Sequence, residues 1–196
     1  MPSTKGAILK AIAAFALTPK FASDIWTQLE ISQILPTRPR DPNLPVQLEG
    51  IKYELEEVEK KAETFPELKG FLTLILRLLL STGVPESLGA GSRTPGFHPY
   101  LHFLVDQCFL PIADRKYKNP EEEGELAALC LRTFYHLLLL LQVGQVSMSP
   151  GELTAAQKHP GFELLLRVLC GSRFLITVTH TLSLFKSSAW FSCYLL

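Results

Sequence analysis

The sequence lacks an excess of charge of either sign. Its 196 residues include 19 lysines and arginines and 19 aspartates and glutamates. Proteins that bind nucleic acid usually carry a net positive charge, so we expect neither DNA nor RNA as a partner. Hydrophobic residues make up 47% of the chain, which is enough apolar surface for a buried core and argues against a disordered protein.

Cysteine is sparse, and the four cysteines are far apart. Cys108, Cys130, Cys170 and Cys193 form no CxxC pair and have no zinc-ligand spacing. Their mostly apolar flanks predict free, buried thiols in a reducing compartment. We therefore expect a cytoplasmic or nuclear setting.

Long hydrophobic runs are also missing. Residues 7–17 are apolar but contain Lys10, and residues 137–141 are five leucines within a longer helical pattern. Both are well short of the roughly 20 apolar residues that a transmembrane helix needs. Residues 7–17 are interpreted as an amphipathic helix, with a signal peptide as the lesser alternative.

The common catalytic and nucleotide-binding motifs do not occur. There is no G-x-S-x-G and no H-E-x-x-H, and Thr94 stands where a G-x-G-x-x-G motif beginning at Gly89 would need its third glycine. Cys130 and His136 are six residues apart on one predicted helix, which puts them on nearly opposite faces. The sequence therefore predicts no catalytic residue, no cofactor and no small-molecule substrate.

One group has the spacing of metal ligands. His98, His102 and Asp106 are four residues apart and would line one face of a helix. A zinc site needs four ligands, or three and a water, and no second cluster clearly supplies the rest. We interpret the group as a polar helix face, and we predict no metal site.

Helical periodicity dominates the first 170 residues. Residues such as Ile8, Leu9, Ile12, Phe15 and Ala16 recur at spacings of three and four. A connector with prolines at 36, 39, 42 and 45 and a turn-rich loop at 83–96 separate helical segments. The pattern predicts helices over about 5–17, from 19 to Pro36, over about 17 residues including 48–62, from 64–67 through 80, and over 99–110, 119–142, 150–158 and 161–170.

Helix starts and buried faces follow from local patterns. Thr18-Pro19 and Asn119-Pro120 predict a cap followed by proline at the first helical position, and 64–67 has the T-x-x-E form of a capping box. The almost continuously apolar 71–80 predicts a helix buried on most sides. The expected inward residues of the second and third helices are Phe21, Ile25, Trp26, Leu29 and Ile34, and Leu48, Ile51, Leu55, Val58 and Ala62, with Glu56–Lys60 and Glu57–Lys61 pairs outside.

These patterns predict an all-α fold of antiparallel helical hairpins, either a compact bundle or a piece of a solenoid. Residues 95–97 and 160–162 both read Pro-Gly-Phe before a predicted helix, as in a repeated unit. The tail 173–196 differs: it is rich in β-branched and aromatic residues and has no comparable helical stripe. We therefore expect a stack over 1–172 and an apolar tail over 173–196 outside the repeats.

Several segments resemble the very large inner-ring scaffold nucleoporins of the nuclear pore complex, the 205-kilodalton class. The most specific is SLGAGSRTPGFHPYLHFL at residues 87–104. Further similar segments are LKAIAAF at 9–15, IW at 25–26, LE at 29–30, QIL at 33–35, the acidic helix at 53–63, and KHPGF at 158–162. They keep the order of the family and cover about residues 5–170.

The resemblance implies an α-solenoid of HEAT- and ARM-like repeats at the nuclear envelope. It implies a structural adaptor without enzymatic activity that binds other inner-ring scaffold nucleoporins and disordered linker nucleoporins. No Phe-Gly dipeptide occurs, which disfavours a transport-barrier protein. Family members are about ten times longer, so the chain resembles a fragment or truncated form.

Two alternatives stay open at this point. One is a truncated product without a function of its own, and the other is a small helical module whose apolar tail docks on a membrane or a partner. The sequence identifies no partner-binding residue, although the exposed 36–45 and 83–96 loops are candidates.

Overall fold

The computed structural model describes residues 2–36, 49–85, 88, 97–146 and 171–187, and all regular structure in them is helical. The all-α prediction is confirmed. A 3₁₀ turn, Ile112–Asp114, lies between the fifth and sixth helices. The helices are α1 (Pro2–Phe15), α2 (Pro19–Ser32), α3 (50–62), α4 (Pro66–Thr82), α5 (98–109), α6 (Glu121–Val146) and α7 (Ser172–Ser187).

The predicted restart at Thr18-Pro19 is confirmed. Thr18 has an extended backbone, and its hydroxyl accepts a hydrogen bond from the backbone N–H of Phe21 at 3.5 Å. Pro19 occupies the first helical position, where its missing N–H has no cost. Helix α2 ends earlier than predicted, because Gln33 adopts a left-handed conformation with φ of 51°.

Helix α3 contains a widened turn that changes which side chains face inward. Its middle part, Glu54–Glu59, is a π-helix between two short α-helical parts, Gly50–Tyr53 and Lys60–Ala62. The buried residues are Ile51, Leu55 and Glu59, at a regular spacing of four. The sequence prediction that Ala62 faces the core is wrong, because the wider turn rotates the following residues away from it.

Helix α4 is the central element, and both α1 and α6 pack along it. Its apolar stretch is buried on most sides as predicted, with Phe71, Leu72, Ile75 and Leu79 all at most 2% exposed. Helix α1 crosses it at a glycine contact, since a Cβ added to Gly70 would lie 2.5 Å from the carbonyl oxygen of Gly6. Two glycines therefore let the backbones touch.

Aromatic side chains tie α2 to the start of α5. The ring of Trp26 lies edge-on to those of Phe97 and Tyr100, with centroids 6.2 and 5.4 Å apart. The hydroxyl of Tyr100 donates to the carboxylate of Glu30 at 3.1 Å. The prediction that Trp26 and Leu29 face inward is confirmed, whereas Phe21 is 56% exposed and that prediction is wrong.

The predicted cap at Asn119 is confirmed, because its side chain accepts a hydrogen bond from the N–H of Glu121 at 3.2 Å, but α6 begins at Glu121, one residue after Pro120. The interpretation that the tail has no helical pattern is wrong over Ser172–Ser187, which is helical, and its place outside the repeats stays a prediction. Phe174 of this helix belongs to the main core. The boundary at 172 stays a prediction, and the helices expected over 150–158 and 161–170 lie outside the described residues.

Candidate interaction surface

A group of large apolar side chains lies on the outer side of α1 and α2. Ile8, Phe15, Leu17 and Phe21 are 53%, 71%, 67% and 56% exposed. Ile8 and Phe15 are two turns apart on one face of α1, Leu17 is in the turn that follows, and Phe21 is in the first turn of α2. We call these four residues the α1–α2 surface.

A neighbouring face of α1 already belongs to the core. Leu9 and Ala13 are buried there, as is Ala16 just after the helix ends. A helix that packs on one side normally carries polar residues on the other. Helix α1 is instead apolar on two faces, and such exposed apolar clusters mark interaction sites.

Sequence reasoning missed this surface because it placed Ile8 and Phe15 in the same stripe as Leu9 and Ala16. Both pairs obey helical spacing, so the sequence contains two overlapping stripes. The available signal was the position of Leu17, which lies beside the Thr18-Pro19 break and belongs to neither helix.

Buried carboxylates nearby have a structural purpose. The backbone N–H groups of Glu67 and Leu68 donate to Glu59 at 2.5 and 3.1 Å, and that of Phe65 donates to Glu122 at 3.0 Å. These groups satisfy the free donors at the start of α4. The predicted T-x-x-E capping box is wrong: Phe65 is the N-cap residue, and the caps come from α3 and α6.

Lys69 completes this cluster. Its ammonium group lies 2.9 Å from Glu122 and 3.0 Å from Glu125. Burial lowers the pKa of Lys69, but its hydrogen bonds to both carboxylates more than offset this, so the pKa is raised. The pKa of Glu59 is raised to about 7: burial is the main cause, the backbone hydrogen bonds from Glu67 and Leu68 oppose it, and the charges of Glu67 and Glu122 add to it. The cluster binds α4 to its neighbours.

Arg115 is a second buried charged residue, and its partners are groups of the protein's own fold. Its guanidinium group donates to the backbone carbonyl of Cys108 at 3.1 Å and to that of Gln107. It also lies 5.4 Å from the ring centre of Phe65. Carbonyls at a helix end lack intrahelical partners and favour positive charge. Arg115 thus caps α5.

The suspected metal group has the geometry of a polar helix face. His102 Nδ1 lies 2.9 Å from Asp106 Oδ2, while the His98 ring packs edge-on against that of His102. Burial, together with the neighbouring His102, lowers the pKa of His98. Across the described part of the chain, no three histidine, cysteine or acidic side chains form a metal-binding group.

Two of the four cysteines can be placed. Cys108 and Cys130 are free and buried, as the sequence predicts. Burial raises the pKa of Cys108 well above its usual value and that of Cys130 to about 12. Since the thiolate is the reactive form, burial disfavours nucleophilic reaction at both thiols. Cys170, Cys193 and most of the two candidate loops lie outside the described residues.

Comparison with known proteins identifies the family of this chain. The family described as the nuclear pore complex scaffold, nucleoporins 186/192/205, matches residues 2–171. The chain belongs to this family. It is 39% identical over 182 residues to the human nuclear pore complex protein Nup205, and 33% identical over 171 residues to that of Drosophila melanogaster. Over 165 residues it is 26% identical to NUP205 of Arabidopsis thaliana.

These alignments cover 89%, 87% and 82% of the chain but only 9%, 8% and 7% of the respective relatives. The chain therefore spans about a tenth or less of their length. The predicted family is confirmed, and this scaffold family is that of the nuclear pore complex at the nuclear envelope. In the helices that the structure describes, no segment is long and apolar enough to cross a membrane.

Proposed function

We propose that the chain is a structural segment of the inner ring of the nuclear pore complex. In this function it binds other inner-ring scaffold nucleoporins and disordered linker nucleoporins, and it supports pore assembly and nucleocytoplasmic transport. It has no catalytic activity of its own. Its buried charges cap helices and its two described cysteines are inert, which fits a scaffold.

The observation that carries this proposal is the α1–α2 surface. A scaffold must present contact area without giving up its own core. Ile8, Phe15, Leu17 and Phe21 add nothing to the core, whereas Leu9 and Trp26 behind them are buried. Aromatic and large aliphatic side chains are the usual anchors of helix recognition. We assign the nucleoporin contact to this surface.

The test is a pull-down from nuclear-envelope extract, read by mass spectrometry, with the full chain and its F15S/F21S variant as baits. We expect the wild-type chain to recover inner-ring nucleoporins and the variant to lose at least 80% of that signal, roughly the effect of losing two anchor residues. Both side chains are mostly exposed, so the helical content and melting temperature should stay unchanged.

A matched control replaces two side chains outside the surface, in the L175S/L182S variant. Equal recovery by the wild-type and F15S/F21S baits would contradict the assignment to α1 and α2. Recovery of chaperones alone by all baits would instead favour the alternative of a truncated product without independent function.

The other alternative, an apolar tail that docks on a membrane, draws on Leu175, Ile176 and Leu182. They are 57%, 68% and 48% exposed on α7. Flotation of the wild-type chain with lipid vesicles, lost in the L175S/L182S variant, would support it. The same variant used as bait thus separates a membrane contact from a nucleoporin contact.

A further inference from the structure

The turn between α1 and α2 presents a threonine that is followed by proline. Residues 15–21 read FALTPKF, and all of them except Ala16 are exposed. Thr18 lies at the centre of this segment, with an extended backbone of φ −106° and ψ 145°. Its hydroxyl oxygen accepts a hydrogen bond from the backbone N–H of Phe21 at 3.5 Å, which is long for such a bond. The hydroxyl is therefore accessible to a modifying enzyme from the solvent side.

The dipeptide Thr18-Pro19 is the minimal recognition motif of proline-directed serine/threonine kinases. Such a kinase binds its substrate as an extended segment, and proline after the threonine favours that backbone and has no N–H to lose a hydrogen bond in the kinase pocket. Two further motifs of this kind, Thr94-Pro95 and Ser149-Pro150, lie outside the described residues. Thr27 is exposed on α2 but is followed by Gln28. Thr18 thus combines the motif with exposure and an extended backbone.

A phosphate on Thr18 would lie among the apolar side chains of the α1–α2 surface. Leu17 is the preceding residue, and Phe21 is the residue whose N–H bonds to the Thr18 hydroxyl. Both side chains are more than half exposed. A phosphate carries a charge of about −1.5 to −2 at pH 7 and is strongly hydrated, so it opposes the burial of these side chains against a partner. The same anion stabilises α2, because it lies beside the N–H groups at the start of the helix.

We propose that Thr18 is a phosphorylation site of a proline-directed kinase, and that the phosphate switches off binding at the α1–α2 surface while the fold stays intact. In this reaction Thr18 Oγ1 attacks the γ-phosphorus of ATP, the bond from that phosphorus to the oxygen of the leaving ADP breaks, and the hydroxyl proton passes to a base of the kinase. A phosphatase removes the phosphate by hydrolysis. The effect on binding rests on the proposed function, whereas the modification itself does not.

The modification is tested on the purified full chain with ATP and a cyclin-dependent kinase, which is proline-directed, and mass spectrometry locates the phosphate. A T94A/S149A background leaves Thr18 as the one serine or threonine followed by proline. We expect modification at position 18 in this background and after the further change T18S, and none at Thr27. P19A keeps the hydroxyl but removes the motif, so its modification should be at least tenfold slower. No phosphate at Thr18, or equal rates at Thr18 and Thr27, would overturn the proposal.

The effect on binding is tested with the phosphorylated T94A/S149A chain as bait in the nuclear-envelope pull-down. We expect it to recover at least fivefold less of the inner-ring nucleoporins than the same chain before modification, and phosphatase treatment to restore the signal. The melting temperature should rise by about 1 to 4 °C on phosphorylation, because the helix start gains an anion. A fall in melting temperature would contradict the switch, since the lost binding would then follow from unfolding.

The two proposals can fail separately in this experiment. If F15S/F21S loses the nucleoporins and the phosphorylated chain keeps them, the switch is wrong and the proposed function stands. If F15S/F21S recovers as much as wild type, the proposed function and the switch are both wrong, and the phosphorylation site is decided by the mass spectrometry alone.

Discussion

Glu59 is a carboxylate buried in the core, and this burial disfavours its ionised form. It is fully buried, and its two oxygens accept the N–H groups of Glu67 and Leu68. Desolvation disfavours the charged form and raises the pKa to about 7, against a usual value of 4.5. The folded state therefore holds this proton more tightly than the unfolded state does.

The expected consequence is a loss of stability as pH rises. The contribution of Glu59 is fully present below about pH 4.5 and is lost as the pH rises through about 7, up to about 3 kcal/mol at roughly 1.4 kcal/mol per pKa unit. Urea denaturation from pH 5 to 8 should show this decline in the wild type and a flatter curve in E59Q.

The comparison between the two proteins isolates Glu59 from groups with the opposite sign. The pKa of His98 is lowered, so its contribution is lost as the pH falls. His98 is present in both proteins and cancels in their difference. Parallel curves for wild type and E59Q would show that Glu59 is ionised at neutral pH in the folded state.

Helix α4 illustrates how an element can depend on its neighbours for its start. It has no side-chain cap of its own, and Glu122 of α6 accepts the N–H of Phe65 while pairing with Lys69. Glu122 thus connects two helices through residues that are 57 positions apart in the sequence. Its neighbour Glu121 lies in the same first turn of α6 but is exposed.

This difference makes Glu121 a matched control for Glu122. Both substitutions to alanine weaken the favourable charge at the start of α6, by about 0.3 to 1 kcal/mol. E122A also leaves a buried N–H without its acceptor, so we expect it to destabilise the protein by about 2 kcal/mol more than E121A. Thermal and urea unfolding of both variants would measure the difference, and equal effects would contradict the capping role of Glu122.

At the scale of the molecule, the sequence predicts the helices well and their orientation less well. Thr18-Pro19 and Asn119-Pro120 act within one turn, so local pattern is sufficient to find them. The face that Ile8 and Phe21 present depends on what packs behind them, and two overlapping apolar stripes leave that choice open. The inward position of Glu59 depends on a widened turn that periodicity does not encode.

The tail shows the same limit in another form. Its β-branched residues favour strand, but threonine hydroxyls bond back to the helix carbonyls and Phe174 finds an aromatic slot. Tertiary packing therefore overrides local propensity. The candidate surface on α1 and α2 was missed from the sequence for a related reason: Leu17 was the one signal for it, and exposure is a property of the assembled helices.

The reaction of the two buried thiols with a reagent can also measure how fast the core opens. Cys108 and Cys130 cannot meet a thiol reagent while α5 and α6 stay packed, because both are buried and protonated. In a C170S/C193S chain, we expect labelling by excess reagent to follow the rate at which the core opens. Mass spectrometry would resolve each site. A labelling rate that rises in proportion to reagent concentration indicates that the core recloses faster than the reagent reacts, whereas a rate that no longer rises with concentration equals the rate of opening. Labelling of these two cysteines thus measures how long the core of this scaffold segment stays closed.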